Sequence, residues 1–322
     1  MIRVVEYRIE RVAEVVKNLN FVVSNFSDGE IFPPAHVEEE QVLRYFFFVT
    51  ALDHRTAKSG KFEGLVNGKY LHGSDLLHKL SLLKFYENPD FFSPRHMSEI
   101  AVEEVKAWLS VSEPKPATVW DPEVRAFLLR DAGGKLLKLY DGRVSNMVEE
   151  ASGRLCGVPG GFIDILKVFR AYEDPVSKKS FLLAKFLLRR GLLKVIDLEN
   201  MEVPVDNHVT RVAVRLGIVE PLGENPFASQ REVSWEEDVI IRLQVRRAFK
   251  LVSKLSNMDP GLLDDLLWSL GRKICLRPRP LCDEGVEVLG IRKCPFRSVC
   301  AAYEREERRT WLEHNYTNTW YY

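Results

Sequence analysis

Apolar residues recur along this chain mostly at the helical period. The spacing predicts helices over Val12–Phe21, Val37–Leu52 and Asp75–Phe85. Between the last two, Phe62–Tyr70 carries Asn67-Gly68 at its centre, the dipeptide suited to a tight hairpin turn, so a small β-hairpin is expected there. Ser112-Glu113-Pro114-Lys115-Pro116 reads as a linker, because two nearby prolines disfavour helix. Helix signals strengthen downstream. Pro122 can occupy the first position of a helix over Pro122–Arg130. Ser177 can cap Lys178–Arg190, whose stripe is Leu182, Leu183, Phe186 and Leu187, with Gly191 as the stop. Ser234-Trp235-Glu236-Glu237 forms a capping box opening a helix to about Leu255, with Ile240, Ile241, Val245, Phe249 and Val252 on its apolar face. Asp259-Pro260 starts another helix, which Gly271 is expected to end. The pattern is that of an all-α protein with one small hairpin.

Composition narrows this little. The 322 residues are 46% hydrophobic and 29% charged with zero formal net charge, an ordinary globular balance that gives no general signature of nucleic-acid binding. No apolar run approaches bilayer length. Met1-Ile2-Arg3 leads straight into a charged stretch without an export signal, so a cytoplasmic location is expected. The expected organisation is an N-terminal helical region over 1–115 and a helical core over 116–270, then a four-cysteine loop over 271–302 and a tail over 303–322.

The candidate chemistry changes the picture more. Cys275, Cys282, Cys294 and Cys300 follow the pattern C-x6-C-x11-C-x5-C, while Cys156 lies far upstream. Four close thiols can surround one metal centre, and soft thiolates select zinc or an iron–sulfur cluster. Structural zinc sites favour tighter C-x2-4-C knuckles, and disulfides are uncommon in the cytosol, so iron–sulfur leads, with zinc and disulfides as competitors. From Arg272 to Cys300 there are seven cations against three anions, an excess that suits either phosphate contacts or a positive shell around anionic thiolates.

Asp206 stands at a second informative place. In Val203-Pro204-Val205-Asp206-Asn207-His208 it precedes a helix with Val209, Val212, Ala213 and Leu216 as its buried stripe, so its plain reading is an N-cap. His36, His54, His72, His78 and His96 lack metal-ligand spacing and read as surface or capping residues, although Asp53-His54-Arg55 could line a pocket. The aromatic tail, Tyr316 and Trp320 to Tyr322, could stack on bases but reads first as docking back onto the protein.

Two of these segments carry a family resemblance. Leu267–Cys275 resembles the helix end entering the [4Fe-4S] loop of endonuclease III-type DNA glycosylases, which space their cysteines C-x6-C-x2-C-x5-C. The outer spacings match, and Cys294-Pro295 resembles the third ligand. The middle gap holds eleven residues, so Asp283–Lys293 would have to loop out, at little entropic cost. VPVDNHVTRVAVRLG resembles the V-D-T-H-V-x-R-V-x-x-R-L-G stretch of the helix-hairpin-helix glycosylase superfamily, with Asn207 in place of threonine. The resemblance spans roughly Gly160–Ala302. It implies a bilobal helix-hairpin-helix glycosylase-like fold with a C-terminal iron–sulfur loop, a [4Fe-4S] cluster on the four cysteines, and Asp206 as a catalytic carboxylate in the cleft between lobes.

It further implies His208 and Arg211 as neighbours with no catalytic step of their own, in orienting, packing or substrate-binding roles. The family hairpin L-P-G-V-G-x-K falls on Glu173–Lys179 and places Lys179 at the lysine that attacks the sugar in bifunctional members. Both glycines are missing, and two acids stand where a phosphate would bind. Lys179 therefore reads here as a solvated helix residue or a phosphate contact beside Lys178, and strong lyase activity is not expected. Phe169-Arg170, Lys178-Lys179-Ser180 and Val205-Asp206 also resemble, in order, the queuosine salvage N-glycosidases, as do Asn67–Gly73 and Arg125–Gly134. That family lacks the four-cysteine loop. The expected function is hydrolysis of an N-glycosidic bond to a damaged or modified base, with DNA as partner. The alternatives are a hydrolase of a modified nucleoside or nucleotide, and a non-catalytic nucleic-acid-binding protein with the cluster as a staple.

Overall fold

Four of the longer helices begin at a side-chain cap, where Glu38, Asp206, Ser234 and Asp259 accept N–H groups of the first turn. The computed structural model, which describes residues 2–158 and 160–322, divides into two units. One comprises the chain up to Val23 with Met201–Thr319; the other comprises Ser24–Asn200 with Trp320–Tyr322. The boundary expected near residue 115 falls inside the second unit. The Ser112–Pro116 segment is the turn joining Ser110–Val111 to Ala117–Thr118, two short antiparallel strands, rather than a linker. Helices dominate, as expected, but the described residues form four two-stranded ladders where one was anticipated. No helix among the described residues is long and apolar enough to cross a membrane.

In the first unit the capping box forms as read. Ser234 Oγ accepts the Glu237 N–H at 3.2 Å, and a Glu237 carboxylate oxygen accepts the Ser234 N–H at 2.9 Å. The helix Trp235–Ser256 buries Ile241, Val245, Phe249 and Val252 and packs on Glu6–Lys17; Ile240, expected on the same face, is exposed. Ile2–Val4 pairs antiparallel with Val219–Pro221. The helix Asn207–Leu216 packs against Pro260–Lys273, which continues through Gly271 instead of ending there. Gly271 is needed inside the helix, because a Cβ there would lie 2.9 Å from His208 Cβ.

In the second unit, Glu39–Leu52 is the central helix, with Tyr45–Val49 wholly buried. It packs against Pro122–Tyr140 and Lys178–Arg189. The former runs ten residues past the expected Arg130, through Gly133-Gly134. Asn67 and Gly68 take positive φ values of 50° and 75° at the turn between Glu63–Val66 and Lys69–His72, as the hairpin reading requires. The tail docks here: Trp320 Nε1 donates to Arg170 O, and Tyr322 O accepts the Arg55 N–H.

The start of Lys178–Arg189 departs from expectation. Ser177 adopts a left-handed conformation, φ 56°, and its side chain makes no capping bond. Asp174 does the capping: its carboxylate accepts the Val176 N–H at 3.0 Å and the Lys178 N–H at 2.9 Å. The Asp174→Ala variant should therefore lose about 1–2 kcal/mol of stability in denaturant unfolding, whereas Ser177→Ala should lose much less.

Candidate active site

Val203, Pro204 and Val205 are buried just before Asp206, whose own backbone is extended at the start of the helix Asn207–Leu216. Asp206 is the N-cap, as its sequence suggested, and Oδ1 accepts the Val209 N–H at 2.8 Å. That is the carboxylate's one hydrogen bond among the described residues, so Oδ2 is not consumed by the cap. The residue is half-buried. A carboxylate at a helix N-terminus is held in one place by the cap and the helix dipole, which suits it to stabilise a neighbouring positive charge.

His208 and Arg211 follow on the same helix, but their situations differ. Arg211 is 3% exposed, and its guanidinium is fully engaged by protein. Nε donates to Cys275 O and Nη2 to Gly271 O, both at 2.8 Å; Nη1 meets Glu313 Oε2 at 2.8 Å. Nη2 also contacts His208 Nδ1 at 3.0 Å. This removes Arg211 as a direct substrate contact. His208 is half-buried, edge-on to Trp268, and burial lowers its pKa, so the ring is neutral at neutral pH. Neither Glu313 nor its second partner Arg277 (2.7 Å) carried any signal in the sequence, because Glu313 lies more than a hundred residues from Arg211.

The same helix reaches the cysteines. Arg215, 1% exposed, donates Nη1 to Leu276 O at 2.6 Å and lies 3.4 Å from Cys275 Sγ, while Nε donates to Trp311 O. Cys275, Cys282, Cys294 and Cys300 line one pocket whose other walls include Val212, Leu270, Ile274 and Phe296. The eleven-residue gap is closed by a hairpin. Glu287–Val288 pairs with Ile291–Arg292 across Leu289-Gly290, both with positive φ. This returns Cys294 N–H to within 3.4 Å of Cys282 O. A hydrogen bond with Cys294 holds the Cys282 thiol down to about 7, the same bond pushes Cys294 up, and burial pushes Cys300 up to about 12. Among the described residues, no three His, Cys, Asp or Glu side chains are grouped tightly enough to grip a single metal ion.

The two candidate lysines lie in the other unit, and neither is solvated. Lys179 is wholly buried; Nζ donates to Ala51 O at 2.6 Å and lies 3.4 Å from His54 Nδ1. Lys178 Nζ pairs with Asp53 Oδ2 at 3.1 Å and with Asp53 O at 3.0 Å. Arg125, also fully buried, donates to the carbonyls of Leu52, Arg55 and Trp120. Three cations thus gather at the C-terminal end of Glu39–Leu52, where unsatisfied carbonyls and the helix dipole favour positive charge. His54 and His78, read as surface or capping residues, are buried as well, and His54 Nε2 finds no partner. Burial, with Arg125 and the two lysines, lowers the His54 pKa well below its usual range.

No family model matches the sequence, and no curated protein matches it. Solved structures do. The chain is similar to the structure of a trapped endonuclease III–DNA covalent intermediate, an estranged-adenine complex, with a TM-score of 0.50 and 14% identity over 94% of this chain and 96% of that one. It is also similar to an 8-oxoguanine DNA glycosylase from Pyrobaculum aerophilum in complex with 8-oxoguanosine, with a TM-score of 0.47 and 16% identity over 83% and 89% of the two chains. The first of these likenesses shows a fold shared with endonuclease III.

Burial lowers the pKa of Lys179 well below the usual lysine range, and Lys178 and Arg125 add to the effect. The unfolded chain keeps that proton up to about pH 10. Between the two values the unfolded state binds more protons, so this group makes stability rise with pH across that window. The unfolding free energy of Lys179→Met should rise less from neutral to alkaline pH than that of the parent, followed by denaturant unfolding at several pH values.

Proposed function

We propose that this protein hydrolyses the N-glycosidic bond between a sugar and a damaged or modified base, with DNA as the substrate. The observation that carries the reading is Asp206: a half-buried carboxylate, fixed through Oδ1 at a helix N-terminus, with Oδ2 not engaged by the protein. It stands on a fold shared with an endonuclease III bound to DNA. Departure of a base leaves positive charge on the sugar, as in glycoside hydrolysis. A fixed carboxylate stabilises that charge and can orient the attacking water or take its proton. In duplex DNA the target nucleotide must first be turned out of the stack. His208 is the neighbouring substrate contact in this reading; Arg211 and Lys178 are held by protein partners.

The enzyme is read as monofunctional. A lyase nucleophile must reach the sugar as a free amine. Lys179 is instead fully buried with Nζ bonded to Ala51 O.

A second reading, hydrolysis of a modified nucleoside or nucleotide, is favoured by Asp174. Its carboxylate takes the Val176 and Lys178 N–H groups at the place where a glycine-rich hairpin would offer such groups to a DNA phosphate.

The four cysteines are proposed to hold a [4Fe-4S] cluster, with zinc as the alternative. Support comes from the donor set and its surroundings: four thiols around one apolar space, with a guanidinium beside one of them. A polynuclear centre seats its thiolates farther apart than a single ion does. When bound, such a cluster would tie the loop together. Arg215 and Arg211 would fix that loop to the helix that begins at Asp206.

Asp206→Asn should abolish base release from a panel of damaged duplexes and modified nucleosides while leaving thermal unfolding nearly unchanged. Equal turnover in the variant would overturn the assignment, and duplex binding without turnover in the parent would leave a binding protein. Borohydride should trap no covalent DNA adduct. The purified protein should be brown and contain iron and acid-labile sulfide in equal amounts, both lowered by Cys282→Ser; zinc in their place would decide for the alternative.

A further inference from the structure

We propose that Arg211 and Glu313 are positioning residues that lock His208 in its Nε2–H tautomer next to Asp206. The activity arm of this inference rests on the function proposed above; the tautomer arm does not.

Arg211 Nη2 lies 3.0 Å from His208 Nδ1. A guanidinium has only donors and does not lose its proton in proteins. His208 Nδ1 must therefore present its lone pair, and a neutral ring then carries its hydrogen on Nε2. The opposite tautomer would set two donors against each other. The ring has little freedom to turn away. Gly271 lets the neighbouring helix come within 3.2 Å of His208 O, measured from where a Cβ would stand, and Trp268 lies edge-on at 6.4 Å. His208 is thus a fixed donor two residues after the Asp206 carboxylate, on the first turn of the same helix.

Arg211 can impose this only if it is itself immobile. Two main-chain carbonyls, Gly271 and Cys275, take two of its directions, and the Glu313 carboxylate takes a third. Glu313 also answers the charge. A guanidinium 3% exposed costs several kcal/mol unless it is paired. Burial pushes Glu313 up, but Arg211 and Arg277 outweigh it and hold its carboxyl down at about 2, so it is ionised at working pH. Gln230 Nε2 donates to Glu313 O at 3.1 Å and fixes the backbone that delivers the side chain. Glu313 lies outside the stretch that resembles the glycosylases, so this chain supplies the lock from its own C-terminal segment.

A purely structural role for Arg211, tying the helix to the cysteine loop, makes different predictions. In the full-length protein with 15N-labelled histidine, the His208 signal can be identified among the seven histidines by its loss in His208→Gln. It should show a protonated Nε2 and a bare Nδ1. Glu313→Gln should give mixed tautomers, and Arg211→Gln should complete the loss of preference. With substrate, Glu313→Gln should lower kcat/KM roughly 10- to 100-fold, the scale of a small misplacement at a reacting centre. His208→Gln, whose amide keeps a donor near the Nε2 position, should retain more activity than His208→Ala. A wild-type His208 protonated on Nδ1 overturns the proposal. So does an unchanged tautomer in a folded Glu313→Gln and Arg211→Gln pair. If the tautomers shift as expected but no protein releases base, the positioning stands and the proposed function fails.

Discussion

Two buried arginines on one ten-residue helix set the constraint that the first unit is built around. Arg211 and Arg215 point from the helix Asn207–Leu216 into protein, and a buried guanidinium must have its donors met. Four main-chain carbonyls at the end of the preceding helix and in the cysteine loop, those of Gly271, Cys275, Leu276 and Arg277, meet them, together with the Glu313 carboxylate and Trp311 O. The loop therefore cannot take an arbitrary shape, and the helix cannot slide against it. The carboxylate at the head of the helix and the thiols at its flank become parts of one rigid arrangement.

The second unit solves a related problem in another way. Its central helix ends in carbonyls that have no partner within the helix, deep in apolar surroundings. Lys179, Arg125 and Lys178 cover Ala51, Leu52 and Asp53 in turn. This gathers positive charge on the helix dipole's negative end, with Asp53 as a local counter-charge. The lysine that a glycosylase pattern would place in the chemistry is thereby drawn into the architecture. A buried amine serving a carbonyl is a poor candidate for attack on a sugar, however low its proton affinity.

The segment before that lysine shows how an acid can replace glycines. A glycine-rich hairpin leaves its N–H groups open to an anion from outside. Here Asp174 supplies the anion from within, accepting two of those N–H groups while Ser177 takes the left-handed conformation that glycine would otherwise allow. The turn keeps its geometry and gives up its vacant donors, so the two substrate readings differ at this turn in physical terms.

Local signals were legible in the sequence because they act over three or four residues. The Ser234–Glu237 capping box, the Asn67-Gly68 turn and the Asp206 cap formed as their residue types dictate, as did the helical stripes apart from Ile240, whereas the cap expected of Ser177 is made by Asp174. The four cysteines, whose spacing suggested a common metal centre, line one pocket. What a short window could not contain is where a long side chain finds its partner. Lys179 looks like a solvated lysine beside another, and only the carbonyl of Ala51, 128 positions away, makes it a core residue. Gly271 looks like a helix stop, and only His208 packed against it explains a glycine inside a helix. Glu313 reads as one more surface acid until Arg211 and Arg277 close on it. Caps, turns and stripes are set by backbone groups a few bonds away, so the chain itself determined them. The fates of buried charges depend on which distant carbonyls and carboxylates the fold delivers, and that was decided only in three dimensions.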